Sequence, residues 1–197
     1  MRKPVIVTGL ISAGVILGLT IASLAPEPRH VQTIEWLDNP RQLAEFRLES
    51  AHNAFDNTSL NGSWSILSFG FLHCPDVCPT SLAQLARLAE ALGSDTDVSF
   101  IFISVDPRRD SAEAVNRYAG HFHPSFLGAT GQEAELRQLA GSLGIQFDVA
   151  PDGTDVAHSV TFSLIDPAGR LAGRFRPGFN VNDFITELDV QRLETSS

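Results

Sequence analysis

The sequence predicts an α/β fold built on a central mixed sheet, and three stretches carry that prediction. WSILSFGF, residues 64–71, is a short apolar and aromatic run, and VSFIFISV, residues 98–105, is nearly continuous apolar. Between them Leu82, Leu85, Leu88 and Leu92 recur on one helical face. A strand with one face in water alternates apolar and polar residues, so an unbroken apolar run marks a strand covered on both sides. Strand, helix and buried strand in that order form a parallel unit with a right-handed crossover.

The other elements follow along the chain. Phe46 and Leu48 alternate, and Phe55 follows a polar turn, which predicts a short hairpin. Asp110 with Glu113, and Thr130 with Glu133, each place a cap-type residue three positions before a glutamate, and so predict two helix starts. VTFSLI, residues 160–165, has the composition of a strand, and DPAGR turns it into a partner around LAGRF. VNDFITELDVQRLE closes the domain as an amphipathic helix through Val181, Phe184, Ile185 and Leu188. A parallel βαβ unit followed by an antiparallel hairpin and a closing helix is the thioredoxin-like plan.

Ahead of this domain, Arg2 and Lys3 precede an uncharged stretch from Val5 to Ala25 that is long enough to span hydrocarbon. Basic residues on that flank put the amino terminus in the cytoplasm and everything after it on the exported side. Ser23-Leu24-Ala25 is a small-x-small site of the kind signal peptidases cut, but a signal core is usually about 7 to 15 residues and this one is longer. The expectation is therefore one N-terminal transmembrane helix: an anchor or uncleaved signal over residues 1–27, a proline-rich polar linker over 28–42, and the domain over 43–197. A length of 197 residues suits one domain plus such an extension. The net charge of -9, with no cluster of Lys and Arg, excludes a nucleic-acid partner, whose phosphates need clustered cations.

The chain has two cysteines, both in HCPDVCP, where the first long strand hands over to a helix. Open α/β sheets place their sites at such junctions. The helix's unbonded N–H groups and dipole favour an anion there, and thiolate is the form that attacks disulfides and ligates metals. If the helical turn begins by Cys74, the i, i+4 spacing sets both sulfurs on one face. Converging thiols have three uses. A static disulfide would close a tiny loop and add little stability. Thiol-disulfide oxidoreductases usually have two residues between their cysteines, and here there are three. A soft metal, copper(I) or zinc, suits paired thiolates, although structural zinc asks for four protein ligands.

FGFLHCPDVCPTSL, ISVDPRRD, HPSFLGATG and AHSVTFSLIDPAGRL, taken together and in this order, resemble the Sco/SenC family of copper proteins over most of residues 43–190. The resemblance implies a thioredoxin-like fold, an N-terminal membrane anchor, and delivery of copper to the dinuclear copper A centre of cytochrome c oxidase, with subunit II as acceptor. It implies copper held by Cys74, Cys78 and His158, the histidine of DVAHSV, as copper(I) and also as copper(II) with a further weak ligand. Other copper donors or thiol oxidoreductases would be partners. The same resemblance makes Asp106 a candidate for docking or for tuning the site. Asp76, inside the cysteine loop, is a second such candidate, while Pro75 and Pro79 shape the loop and start the helix. The chain departs from the family in Leu72, where threonine is common, and in QFDVAPDGTDVA, which lacks the usual aromatic-rich run.

Of the other histidines, His73 adjoins Cys74 at a strand end that turns it away, and HFH at His121 and His123 flanks a helix end, where packing or capping is expected; His30 and His52 carry no assignment. The expected product is a copper chaperone without turnover of its own, on a single-pass inner-membrane protein whose domain faces the periplasm. The alternative is an exported thiol-disulfide reductase that uses Cys74 and Cys78 as a redox disulfide to keep an acceptor's cysteines reduced. A peroxidase is disfavoured for want of a second polar constellation around one activated cysteine.

Overall fold

Strand β4 (Trp64–Gly70) is buried at every position, and β5 (Val98–Ser104) at every position but Ser99. Their alternate residues face opposite ways: Ile66, Phe100 and Phe102 enter one hydrophobic cluster, while Leu67, Phe69, Ile101 and Ile103 enter another. Both faces of the sheet are therefore covered, as the unbroken apolar runs require. The two strands are parallel, with Trp64 opposite Val98 and Gly70 opposite Ser104. They are joined by helix α1 (Val77–Leu92), which buries Leu82, Leu85 and Leu88 almost completely. Each such leucine is worth roughly 1.5–3 kcal/mol relative to exposure.

The structure, a computed structural model, describes residues 32–51, 53–149, 156–158 and 160–195; for residues 156–158 the backbone alone is described. The expected anchor, His30 and His52 lie outside the described residues. No helix among the described residues is long and apolar enough to cross a membrane.

Around β4 and β5 the sheet is completed by β1 (Glu35–Gln42), β2 (Arg47–Ser50), β3 (Ala54–Asp56), β6 (Phe126–Thr130), β9 (Phe162–Ile165) and β10 (Arg170–Phe175). Its eight strands run in the order β1-β10-β9-β4-β5-β6-β2-β3. β6 is parallel to β5, whereas β9 pairs antiparallel to β4 and β10 antiparallel to β9. The sheet is thus mixed. α1 with its buried leucines, helix α2 (Ala112–Phe122) with Val115 and Ala119, and helix α4 (Val181–Thr195) with Phe184 and Leu188 pack on one face, and helix α3 (Glu133–Leu143) contributes Leu136, Leu139 and Leu143 to the other. The expected hairpin at Phe46–Phe55 is β2–β3, with Leu48 opposite Phe55. The DPAGR turn holds because the Asp166 carboxylate accepts the N–H groups of Ala168 and Arg170 at 3.0 and 2.9 Å.

Three local expectations differ from what is observed. Residues 35–42, assigned to a linker, form the edge strand β1, paired with β10. An edge strand exposed along most of its length leaves no apolar alternation, and Pro40 falls within the irregular stretch between Trp36 and Arg41, where no ladder donor is required. Ser111, not Asp110, caps α2, its hydroxyl accepting the Ala114 N–H at 3.3 Å. Gln132 precedes α3, while Thr130 ends β6 and donates its hydroxyl to the Ser104 carbonyl at 3.0 Å. In both places the polar side chain named by the cap pattern is buried and spent on a tertiary hydrogen bond.

At its far end α3 stops at Gly144, whose φ of 69° is left-handed and favours glycine. The chain then enters β7 (Phe147–Val149), which pairs antiparallel with β8 (Val156–His158) in a two-stranded ribbon separate from the main sheet.

Candidate functional site

β4 ends at Gly70, and the next eight residues carry both cysteines. α1 begins only at Val77, so Cys74 is not helical and the i, i+4 argument does not bring the sulfurs together. A capping contact does so instead: the Cys78 N–H, in the first turn, donates to the Cys74 sulfur at 3.3 Å. The side chain of Asp76 makes no cap hydrogen bond, and the Cys78 N–H goes to the thiol. Pro79 sits in that same turn, where a missing N–H costs nothing.

The two thiols sit in different environments. Cys78 is 3 % exposed, whereas Cys74 is half-buried. Burial, reinforced by the hydrogen bond to the Cys74 sulfur, pushes the Cys78 thiol from an ordinary value of 9.0 up to about 12. Its sulfur lies where a side chain on Gly70 would be: a Cβ there would come within 2.8 Å of Cys78 Sγ and 2.7 Å of the Phe102 ring. The FGF sequence at the end of β4 is thus a steric requirement for seating the buried cysteine.

Below the cysteine loop lies a carboxylate network. Asp110 is fully buried, and its Oδ2 accepts the Ser104 hydroxyl at 2.6 Å and the Leu72 N–H at 2.9 Å. The second contact ties the loop after β5 to the segment entering the cysteines. Asp110 Oδ1 has no hydrogen-bond partner among the described residues, and His73 Nδ1 stands 3.8 Å from it, with the imidazole largely exposed. Asp106 is 1 % exposed, pairs with Arg109, and its carbonyl accepts the N–H groups of Arg109 and Asp110 in the turn that aims Asp110 inward.

Tyr118 of α2 closes the other side. Its half-buried ring packs at 5.5 Å from Phe102 and 5.2 Å from Phe122, between centroids. Burial, followed by the nearby Cys78, Cys74 and Asp110, raises its hydroxyl from 10.0 to about 12.

The candidates read from the sequence thus divide. Cys74 and Cys78 meet. Asp76 is exposed at the mouth of the loop, and Asp106 is interior. His158 ends β8, its backbone opposite that of Phe147. His123 caps the end of α2 and accepts the Ser125 N–H, in keeping with a capping role. No group of three His, Cys, Asp or Glu side chains among the described residues is disposed to hold a metal. Gly70 and Tyr118 belong to the site with no motif to name them, and Asp110, which its sequence position assigns to helix capping, serves the cysteine loop instead. The one usable signal was Tyr118, the chain's single tyrosine, three residues after Val115 on the inner face of α2.

A mixed sheet with a dithiol at the junction of its first parallel strand and the following helix defines a thioredoxin-like domain. Within that class the SCO1/SenC family profile matches residues 37–191. This chain belongs to the SCO1/SenC family. It is 32% identical over 200 residues to the human mitochondrial SCO2 homolog, covering 94% of this chain and 74% of the relative. A putative copper-binding protein of Stutzerimonas stutzeri is 32% identical over 158 residues, covering 78% of this chain and 72% of the relative. Among solved structures, yeast Sco1 with copper bound superposes with a TM-score of 0.70 at 32% identity, covering 79% of this chain and 90% of that one. Apo Sco1 of Thermus thermophilus gives 0.73 at 32% identity, covering 84% of this chain and 99% of that one.

Proposed function

We propose that this chain is a copper metallochaperone of cytochrome c oxidase assembly, holding its cargo through Cys74, Cys78 and His158 and passing it to the dinuclear copper A centre on subunit II. The observation that carries this is the contact of Cys74 Sγ with the Cys78 N–H, because it converges two soft ligands at a strand-to-helix junction. Copper-bound relatives such as yeast Sco1 support the choice of metal. His158 is the third ligand by the match of DVAHSV to the family pattern.

Each thiol gives up a proton when copper(I) binds and regains one when copper leaves, so transfer by ligand exchange is redox-neutral. An incoming acceptor thiolate forms a copper–sulfur bond as a chaperone copper–sulfur bond breaks. Cys74, the more accessible sulfur, is the one an acceptor reaches first, while Cys78 stays behind the loop. Copper(II) would be held by the same three ligands with a further weak one.

The Val5–Ala25 stretch, uncharged and preceded by Arg2 and Lys3, supports a single inner-membrane span that leaves the domain on the periplasmic side. Asp76, exposed beside the thiols, is suited to meeting a partner.

Exported thiol-disulfide reduction would use the same two sulfurs, and it is favoured by the half-exposed position of Cys74 next to a resolving thiol. The two readings separate on His158, since a pure reductase tolerates His158→Ala. The test is to mix the copper-loaded chain with the reduced, metal-free soluble domain of subunit II. Copper should move to the acceptor; no copper movement here, together with reduction of the acceptor's disulfide form by the copper-free Cys74/Cys78 dithiol in a parallel arm, would overturn the chaperone reading.

A further inference from the structure

The ribbon β7–β8 carries His158 and has three residues in each strand, which pair with each other and with no strand of the main sheet among the described residues. Two short strands are marginally stable alone, so the ribbon's position is set by what grips it. One grip is Phe147, whose ring is 7 % exposed and joins Leu136, Leu139 and Leu143 of α3 in the core. A second is Arg137 of α3. Its guanidinium lies 4.7 Å from the centroid of the Phe147 ring, and Nη1 donates to the Phe147 carbonyl at 3.2 Å. Nε and Nη2 donate to Glu133 Oε1 at 2.9 and 2.7 Å, which holds the planar group in that pose. Phe147 is the residue directly opposite His158 in the ladder.

We infer that Arg137 is a positioning residue for the copper site: by clamping the ring and carbonyl of Phe147 it fixes the strand that carries His158. The inference rests on His158 being the third ligand. An arginine serving a surface ion pair would need only Glu133. Here the guanidinium also engages both the side chain and the backbone of one residue, and that residue is the ladder partner of the histidine. Three donors on two acceptors, with the flat face on a ring, leave the ribbon little freedom to swing about α3.

The test is a double-mutant cycle on the full chain in detergent, loaded with copper(II) and challenged with excess EDTA, with the thiolate-to-copper absorption band as the readout. Arg137→Ala should speed loss of the band by about tenfold, the low end for outer residues that orient metal ligands. In the His158→Ala background it should change nothing further. Arg137→Lys keeps the charge over the ring and should recover part of the loss. Arg137→Ala matching the parent while His158→Ala weakens copper would overturn the positioning role alone. An equal effect of Arg137→Ala in both backgrounds would also overturn it, by showing an action that bypasses the histidine. No effect of His158→Ala would remove the ligand and the clamp's role together. Should Arg137→Ala fail to fold, Arg137→Lys and Glu133→Gln in the same cycle carry the comparison.

Discussion

The sulfur of Cys74 accepts the backbone N–H of Cys78 at 3.3 Å, so the two cysteines meet although only the second is helical. A side chain outside the helix caps it, and that cap is itself a metal-type ligand. Helix entry and site assembly are the same event.

The seat of Cys78 depends on the missing side chain of Gly70. Gly70→Ala places a methyl within 2.8 Å of Cys78 Sγ and 2.7 Å of Phe102. Overpacking of this kind costs roughly 1–3 kcal/mol. Urea denaturation should show a loss in that range, and copper affinity should fall with it. An alanine variant with the parent's denaturation midpoint and copper affinity would mean that the sulfur is not confined there.

Alkali should destabilise the domain in two separable stages. The Cys78 thiol is raised from 9.0 to about 12 and the Tyr118 hydroxyl from 10.0 to about 12. Both folded values lie above the unfolded ones, so the associated stability is complete below the unfolded pKa and is lost as pH rises toward the folded one. Denaturation midpoints should fall between about pH 9 and pH 12. The fall should be shallower in Cys78→Ser from the start of that window, and in Tyr118→Phe only above about pH 10. Curves parallel to the parent's would refute the assignment.

Asp110 pins the cysteine loop through the Leu72 N–H at 2.9 Å and is itself held by Ser104. Asp110→Ala leaves both donors unsatisfied beneath the loop, at a cost of roughly 1–3 kcal/mol. Mass spectrometry after brief iodoacetamide treatment should find Cys74 modified ahead of Cys78 in the parent, because Cys78 is 3 % exposed. In the variant the interval between the two modifications should shrink.

The start of the domain is fastened from its far end. Glu187 of α4 accepts the N–H groups of Thr33 and Ile34 at 2.7 and 2.9 Å. Glu187→Ala should speed amide exchange at Thr33 and Ile34 by at least about tenfold, the equivalent of one hydrogen bond to a charged acceptor, with exchange in β4 and β5 unchanged. Unchanged exchange at Ile34 would show that the carboxylate does not hold that end.

What could be read from the chain and what could not follows from where each signal resides. β4 and β5 were legible because a strand covered on both faces writes its burial into consecutive residues, and α1 because Leu82, Leu85 and Leu88 recur at helical spacing. β1 was not, since an edge strand carrying Pro40 and mostly exposed side chains has the composition of a linker. The helix starts slipped by one or two residues where Asp110 and Thr130 satisfy cap patterns but serve tertiary bonds. At the site, the cysteine pair announces itself by spacing. Gly70, Asp110, Tyr118 and Arg137 do not, because each matters through a partner brought near only by folding, as with Asp110 and Leu72, 38 residues apart.

The central claim, that Cys74, Cys78 and His158 hold one copper, is tested most directly by metal analysis of the purified chain after loading with copper under reducing conditions. The prediction is about one copper per chain in the parent, none retained when either cysteine is serine, and weakened copper(II) retention in His158→Ala. A Cys74→Ser or Cys78→Ser chain that keeps a full equivalent of copper, or a parent chain that keeps none, would contradict it.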